Sequence, residues 1–281
     1  MKVSIIGHGF VGKALENALN DDIETLIIDP IYKNHISDLT TFEPEYIFIC
    51  VPTPMTNEGD QDLGILNKVI SDIKETSVNA EIILKSTVLP NNISIIEKVI
   101  PNIIYNPEFL TEKNAFDDFI NGDFIVIGRT NKNFSQITDF YKNYTKCITK
   151  NIIYTDLKAA SFIKFTINTF LASKVMFFNE LHKLFIKSGS EESWENLIKA
   201  VSLDSRLGKS HMEVPGPDGR YGFGGACFPK DAEAFYKYSL HEESSLQILK
   251  KVIDLNNDIR NTYKSNTKRE KDQNINYNTK D

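Results

Sequence analysis

Seven short β-rich runs alternate with helical stretches in the first part of the chain: Val3–Gly7, Thr25–Asp29, Tyr46–Val51, Glu81–Thr87, Ile103–Asn106, Asp123–Gly128 and Asn151–Thr155. Most are apolar throughout, with no apolar/polar alternation. A strand of that kind is covered on both faces, the condition of a parallel sheet flanked by helices. The pattern predicts an α/β, doubly wound, mainly parallel sheet. Near Asp156 the rhythm changes. The chain runs to about Ile186 without Gly or Pro, with Asp156 as a candidate N-cap and Gly189 beyond the end, which reads as one long helix. Further helical segments fit Glu191–Val201, Asp231–Tyr238 and Ser244–Tyr263, and a Gly/Pro-rich loop spans Val214–Gly225. The expected domains are therefore 1–155, a Rossmann-type unit, and 156–262, an all-helical unit. Residues 263–281 are rich in Asn, Lys and Asp without apolar periodicity and read as a disordered tail.

The chain has 281 residues, 41% of them apolar, enough for about two domains with cores. A net charge of -6 argues against a nucleic-acid partner. The first residues enter a strand at once, so no signal peptide is expected. The most apolar long stretch, Ile163 to Ile186, carries Lys164, Asn168, Lys174, Asn179, Glu180 and Lys183, so no membrane span is expected. Three cysteines, Cys50, Cys147 and Cys227, lack metal-ligand spacing and suggest a reduced, cytoplasmic protein without a metal site.

Two segments carry chemistry. Gly7-His8-Gly9-Phe10-Val11-Gly12 fits GxGxxG, follows the first strand and opens a helix. Gly7 suits the tight turn, Gly9 admits a pyrophosphate, and Gly12 allows close helix packing, with Phe10 and Val11 at the helix N-terminus. Asp29 ends the next strand, where it would accept hydrogen bonds from ribose hydroxyls and repel a 2′-phosphate, favouring NAD over NADP. A methyltransferase shares such a loop. The second segment, Gly222 to Asp231, places Cys227 after a glycine turn with Lys230 and Asp231 just beyond, a setting that can activate a thiol. An ordinary glycine turn with a buried cysteine is the local alternative. Lys164 and Asn168, four apart, share one helix face and can both donate to one oxygen. A snorkelling lysine is the bland reading of Lys164 alone.

The glycine loop, Val51-Pro52-Thr53-Pro54, Ser86-Thr87-Val88, Asn106-Pro107-Glu108-Phe109-Leu110, Lys164 with Asn168, and Gly222–Asp231 follow one another in an order that resembles the UDP-glucose/GDP-mannose dehydrogenase family over about residues 1–262. The Gly-Gly-x-Cys-Phe-Pro-Lys-Asp form is most similar to its UDP-glucose branch. The resemblance implies oxidation of a sugar C6 alcohol to a carboxylate with two NAD and no metal. Cys227 would attack the C6 aldehyde, and the thiohemiacetal would become a thioester. Lys164 and Asn168 would donate to the C6 oxygen. Glu108 would help water attack, Asp231 would orient a catalytic group, and Thr87 would hold that water or the nicotinamide side. Pro52, Thr53, Glu112 and Lys230 would join the cofactor site. Glu112 reads equally as a solvated helix residue, and Lys230 as a surface charge. Phe109, Leu110, Phe223, Gly224 and Gly225 would border the nucleotide-sugar substrate. Arg206 would reach the substrate of a neighbouring subunit, implying a homodimer built on the long helix, unless it is a plain surface arginine. Three departures stand out. The family's third α/β domain has no counterpart, the loop Lys209–Tyr221 is long, and Ser161 stands where an acidic residue often precedes the lysine.

Overall fold

The structure is a computed structural model that describes residues 1–111, 114–149 and 151–279. The chain divides into two compact units. The first comprises Met1–Thr53 and Asp62–Lys164, and the second Pro54–Gln61 and the chain from Phe165 onward.

In the first unit, strands β1 (Lys2–Ile6), β2 (Glu24–Ile28), β3 (Tyr46–Ile49), β4 (Glu81–Leu84), β5 (Ile104–Tyr105), β6 (Ile125–Gly128) and β7 (Ile152–Thr155) form one sheet in the order β2-β1-β3-β4-β5-β6-β7. Every pairing is parallel except β5 with β6. The all-apolar strands feed two cores. In β3, Ile47 and Ile49 enter one cluster while Tyr46 and Phe48 enter the other. Period-2 side chains in a sheet covered on both faces require this division. Helices α1 (Phe10–Ala18), α2 (Leu39–Phe42), α3 (Gly64–Thr76), α4 (Pro90–Val99), α5 (Ala115–Asn121) and α6 (Ser135–Asn143) lie between the strands in sequence. In α3 the buried residues Leu66, Val69, Ile70 and Ile73 repeat with the helical period. They seal the first cluster, and Ala14, Leu15 and Ala18 of α1 join the second.

Helix α7 (Leu157–Lys187) is the long helix. Its start belongs to the sheet unit, because Leu157 and Ala160 are buried in the first cluster. The units therefore part at Lys164 and not at 155, and the short segment Pro54–Gln61 belongs with the second unit. That unit continues through α8 (Trp194–Val201), α9 (Phe228–His241), α10 (Gln247–Arg260) and α11 (Lys268–Asp272). Ala172, Met176 and Phe223 form one of its clusters, and Phe178, Trp194, Met212 and Val214 another. Phe178 is buried, and its neighbour Phe177 is 61% exposed.

The disordered tail is corrected. Thr267 and Glu270 form a capping box that starts α11. Ile275 and Tyr277 are buried against Met55. The Met55 amide donates to the Gln273 carbonyl at 3.0 Å. Average composition hides a few apolar anchors and a cap, and those hold a polar segment in place. No helix among the described residues is long and apolar enough to cross a membrane.

A Cβ on Gly12 would collide with the carbonyl oxygen of Gly7. Gly12→Ala should therefore lower stability by ~1–3 kcal/mol, as overpacking does, in urea unfolding with an unchanged m-value.

Candidate active site

The glycine loop is built as its residue types require. Gly7 has φ +92°, a left-handed conformation that suits glycine, and a Cβ there would stand 2.8 Å from the Cys50 carbonyl carbon and oxygen. A Cβ on Gly9 would meet nothing within 4 Å, so backbone is open to a ligand there. Gly9 at the N-cap of α1 brings no side chain to the helix N-terminus, which carries the positive end of its dipole. Asp29 Oδ2 accepts the His8 amide at 2.7 Å, and Oδ1 accepts the Ile31 amide at 3.2 Å. A carboxylate retains further lone pairs for ribose hydroxyls. This architecture fits a dinucleotide. His8 is a residue that motif reading passed over. Its ring, 8% exposed, pairs with Glu16 at 2.6 Å and Tyr32 at 2.9 Å, tying the loop to α1 and to the chain after β2. Phe10 and Val11, at the start of α1, are half-buried.

The neighbouring loops are tied together. Thr53 is buried and donates to the Thr87 carbonyl at 2.9 Å, while Ser86 donates to the Val51 carbonyl at 2.7 Å. Pro52 is exposed between them, and Thr87 is buried. Ser161, fully buried, donates to the Val88 carbonyl at 2.7 Å, so its hydroxyl serves the fold.

Lys164 is 2% exposed. Its Nζ donates to the Glu108 carbonyl at 2.6 Å, stands 3.2 Å from Glu108 Oε1, and lies 5.3 Å from the Phe109 ring centroid. Glu108 Oε2 accepts the Leu110 amide at 2.6 Å. Burial works to raise the Glu108 carboxyl, but Lys164 and that amide outweigh it and hold it below the ordinary carboxylate value. Beneath this pair lies a group that motif matching did not reach. Lys85, 3% exposed, donates to the Asn106 carbonyl at 3.2 Å and its Oδ1 at 2.9 Å. Tyr141 also donates to that Oδ1, and Asn106 Nδ2 donates to the Val126 carbonyl at 2.8 Å. Burial pushes the Lys85 ammonium below its ordinary value. Lys85, Asn106, Glu108, Phe109 and Tyr141 face a cleft of about 360 Å³. Cys50 packs against the second core cluster, and burial pushes its thiol up to about 12.

In the second unit, Cys227 stands at the N-cap of α9, and the Asp231 amide donates to its carbonyl at 3.0 Å. Asp231 is 1% exposed and its two oxygens are divided. Asn168 Nδ2 donates to Oδ2 at 2.6 Å, and Lys230 Nζ lies 2.6 Å from Oδ1. Lys230 is buried here, not a surface charge. Asn168 keeps a second amide hydrogen for another acceptor. The glycine turn before Cys227 is held from inside. Gly222 donates to Asn179 Oδ1 at 2.9 Å, and Phe223 donates to Asn256 Oδ1 at 2.7 Å. Phe223 is buried; Gly224 and Gly225 are half-buried. Arg206 is exposed and its guanidinium is forked onto its own Asp204.

The family's NAD binding domain matches residues 36–145, and its central domain matches residues 158–258. A Bacillus subtilis relative, YtcA, is 31% identical over 92% of this chain and 68% of its own. The chain belongs to the UDP-glucose/GDP-mannose dehydrogenase family. Its first unit carries that family's NAD-binding domain. The UDP-glucose 6-dehydrogenase of Rickettsia felis is 36% identical over 236 residues, 80% of this chain and 49% of that protein. The chain spans about half the length of the first curated relatives it matches. A UDP-glucose dehydrogenase structure from Pyrobaculum islandicum shares the fold with a TM-score of 0.75 at 24% identity, over 91% of this chain and 67% of that one.

Family motifs pointed to Lys164, Glu108, Asn168, Asp231 and Cys227, and each unit groups its share of them. Glu112 lies outside the described residues. Lys85, Tyr141, His8, Asn179 and Asn256 went unassigned, since each acts through residues that no motif joins to it. A buried-charge signal was available for Lys85, which directly follows the apolar residues Ile82, Ile83 and Leu84 of β4.

Glu108, with its carboxyl held low, contributes stability that is present at neutral pH and lost as pH falls through its folded value. Lys164→Met should cost ~3–5 kcal/mol at pH 7, as removal of one partner of a buried pair does. The gap to wild type should narrow below the ordinary carboxylate range, where Glu108 protonates, as read by urea melts from pH 7 to 3.

Proposed function

We propose that the chain oxidises the C6 alcohol of a nucleotide sugar, UDP-glucose first among them, to the uronate. The observation that carries this reading is the joining of Asn168 and Lys230 to Asp231, one helical turn from Cys227, in a chain of this family. NAD, when bound, accepts a hydride at each of two oxidations.

The chain's residues account for the remaining steps. Lys164 and Asn168 hold the C6 oxygen as it sheds its proton, and preorganised donors of this kind contribute ~3–4 kcal/mol each. The Cys227 sulfur adds to the aldehyde carbon, the C=O π bond opens and the thiol proton ends on the C6 oxygen, giving a thiohemiacetal. Loss of the second hydride from that carbon, with the hydroxyl proton passing to water, leaves a thioester. Water then attacks the acyl carbon with Glu108 as base, releasing the uronate and restoring the thiol. Held low by Lys164, the Glu108 carboxylate is ionised at neutral pH and acts as a weak base toward that water. The reading requires Cys227 and Lys164 to address the same carbon. Thr87, Pro52 and Thr53 would border the nicotinamide end, and Phe109, Leu110, Phe223, Gly224 and Gly225 the sugar.

We infer that the working form is a homodimer along α7. Phe170, Phe177 and Leu184 recur every seven residues and are 67%, 61% and 65% exposed, an apolar seam of the kind paired helices cover. Arg206 would then serve the substrate of the other copy.

Purified protein with NAD and UDP-glucose should form two NADH per sugar. Binding of NAD with no turnover across a panel of nucleotide sugars would overturn the dehydrogenase reading and favour a non-catalytic NAD-binding module. Cys227→Ala should abolish uronate formation, a fall of up to roughly six orders of magnitude as deletion of a nucleophile gives. Activity retained in that variant would point to a smaller alcohol substrate. Phe177→Asp should turn a dimer into a monomer in sedimentation equilibrium.

A further inference from the structure

The segment after α10 looks like solvent-facing tail in the sequence, yet it ends inside the nucleophile loop. Glu270 is 0% exposed. Its Oε1 accepts the Tyr277 hydroxyl at 2.7 Å and the Gly225 amide at 3.3 Å; its Oε2 accepts the Thr267 amide at 2.6 Å. Arg260, 4% exposed, stands 3.8 Å from Oε1. The same guanidinium donates to the Gly222 carbonyl at 3.0 Å and to Asp218 at 2.6 Å. Its Nε finds no acceptor among the described residues. The turn lies directly on this pair. A Cβ on Gly224 would fall 2.5 Å from Glu270 Oε1 and 2.7 Å from Arg260 Cζ. Gly222 and Gly225 have φ +73° and +81°, a region glycine enters freely, so contacts with the anchors and not steric limits hold the turn in one conformation. Asn261 and Asn266 bind the carbonyls of Tyr277 and Ile275 at 2.8 and 2.7 Å, and Asn276 binds the Asn57 carbonyl at 3.2 Å. The segment is thus a strap fastened at both ends.

We propose that Glu270 is a positioning residue for Cys227: the strap Thr267–Tyr277 delivers a buried carboxylate that, with Arg260, locks the glycine turn from which the thiol projects. The proposal rests on the reading of Cys227 as the nucleophile. Glu270 touches no reacting atom. It acts by holding the Gly225 amide and by neutralising a guanidinium that grips Gly222. Replacing it by Gln removes the charge, and a side-chain NH2 turned toward Thr267 would set donor against donor. Burial works to raise the Glu270 carboxyl, but the Tyr277 and Thr267 bonds and Arg260 outweigh it, so it stays ionised as the clamp requires.

The test compares full-length wild type, Glu270→Gln and Tyr277→Phe. Hydrogen exchange should quicken about tenfold for the peptide covering 222–227 in Glu270→Gln and by less in Tyr277→Phe, with β1 and β3 unchanged. Alkylation of Cys227 by iodoacetamide, read by peptide mass, should rise several-fold while Cys50 and Cys147 stay as in wild type. In turnover, kcat should fall about tenfold with the KM for NAD unaltered, since only the thiol is displaced. Unchanged exchange and alkylation at the loop would overturn the clamp. So would a uniform rise in exchange across both units, the mark of general destabilisation. If Glu270→Gln does not fold, Tyr277→Phe decides on the same criteria. If wild type oxidises no sugar, the proposed activity fails, and exchange and alkylation still judge the clamp.

Discussion

Parallel pairing of β2, β1, β3, β4 and β5 is the constraint on which the first unit depends. Strands that run the same way deliver their carboxyl ends to one edge of the sheet. Asp29, Gly7, Cys50, Lys85 and Asn106 follow those five strands in spatial order. Residues far apart in sequence thereby become neighbours in a row: the glycine loop, the 51–53 turn, the 86–88 turn and the Glu108 turn. Main-chain and side-chain bonds between adjacent loops, Thr53 to Thr87 and Ser86 to Val51, are a direct consequence. The price of this arrangement is backbone exposed at loop ends, and glycine occupies the point of closest approach.

Charge inside the units follows one rule. Lys85, Lys164, Glu108, Asp231, Arg260 and Glu270 are all buried or nearly so, and each has hydrogen-bonding or ionic company. An isolated buried charge would cost several kcal/mol, whereas paired and hydrogen-bonded charges restrict the backbone to one arrangement. In the first unit the pair Lys164–Glu108 joins helix to loop. In the second, Asp231 gathers Asn168 and Lys230, and Glu270 gathers Arg260, Tyr277 and Gly225. Glu108 and Glu270 fix segments with little regular structure of their own, while Asp231 ties α9 to α7.

How much of this was legible depends on range. Gly7–Gly12 after an apolar run, Asp29 ending the next, and the turn before Cys227 are local signals, because glycine spacing and strand ends are properties of a few consecutive residues. All seven strands appear where apolar runs predicted them. The role of His8 was hidden, since Glu16 and Tyr32 flank it at distances no local pattern records. Phe177 reads as core by residue type, yet the helical period turns it outward beside buried Phe178. The tail was misread because composition averages over anchors: Glu270, Ile275 and Tyr277 bury themselves among residues that are otherwise polar.

By itself the sequence determined the fold class, the dinucleotide loop, the family and the residue types available for chemistry. Those follow from apolar periodicity and short-range spacing, which the chain carries wherever it is placed. Only the tertiary structure decided that Lys230 is buried on Asp231, that Glu108 is held ionised by Lys164, and that a polar tail grips the turn before Cys227. The last two are contacts between groups remote in sequence, and Lys230 and Asp231, though neighbours in the chain, are buried only by what packs around them; burial and Coulomb attraction act through space without regard to chain separation.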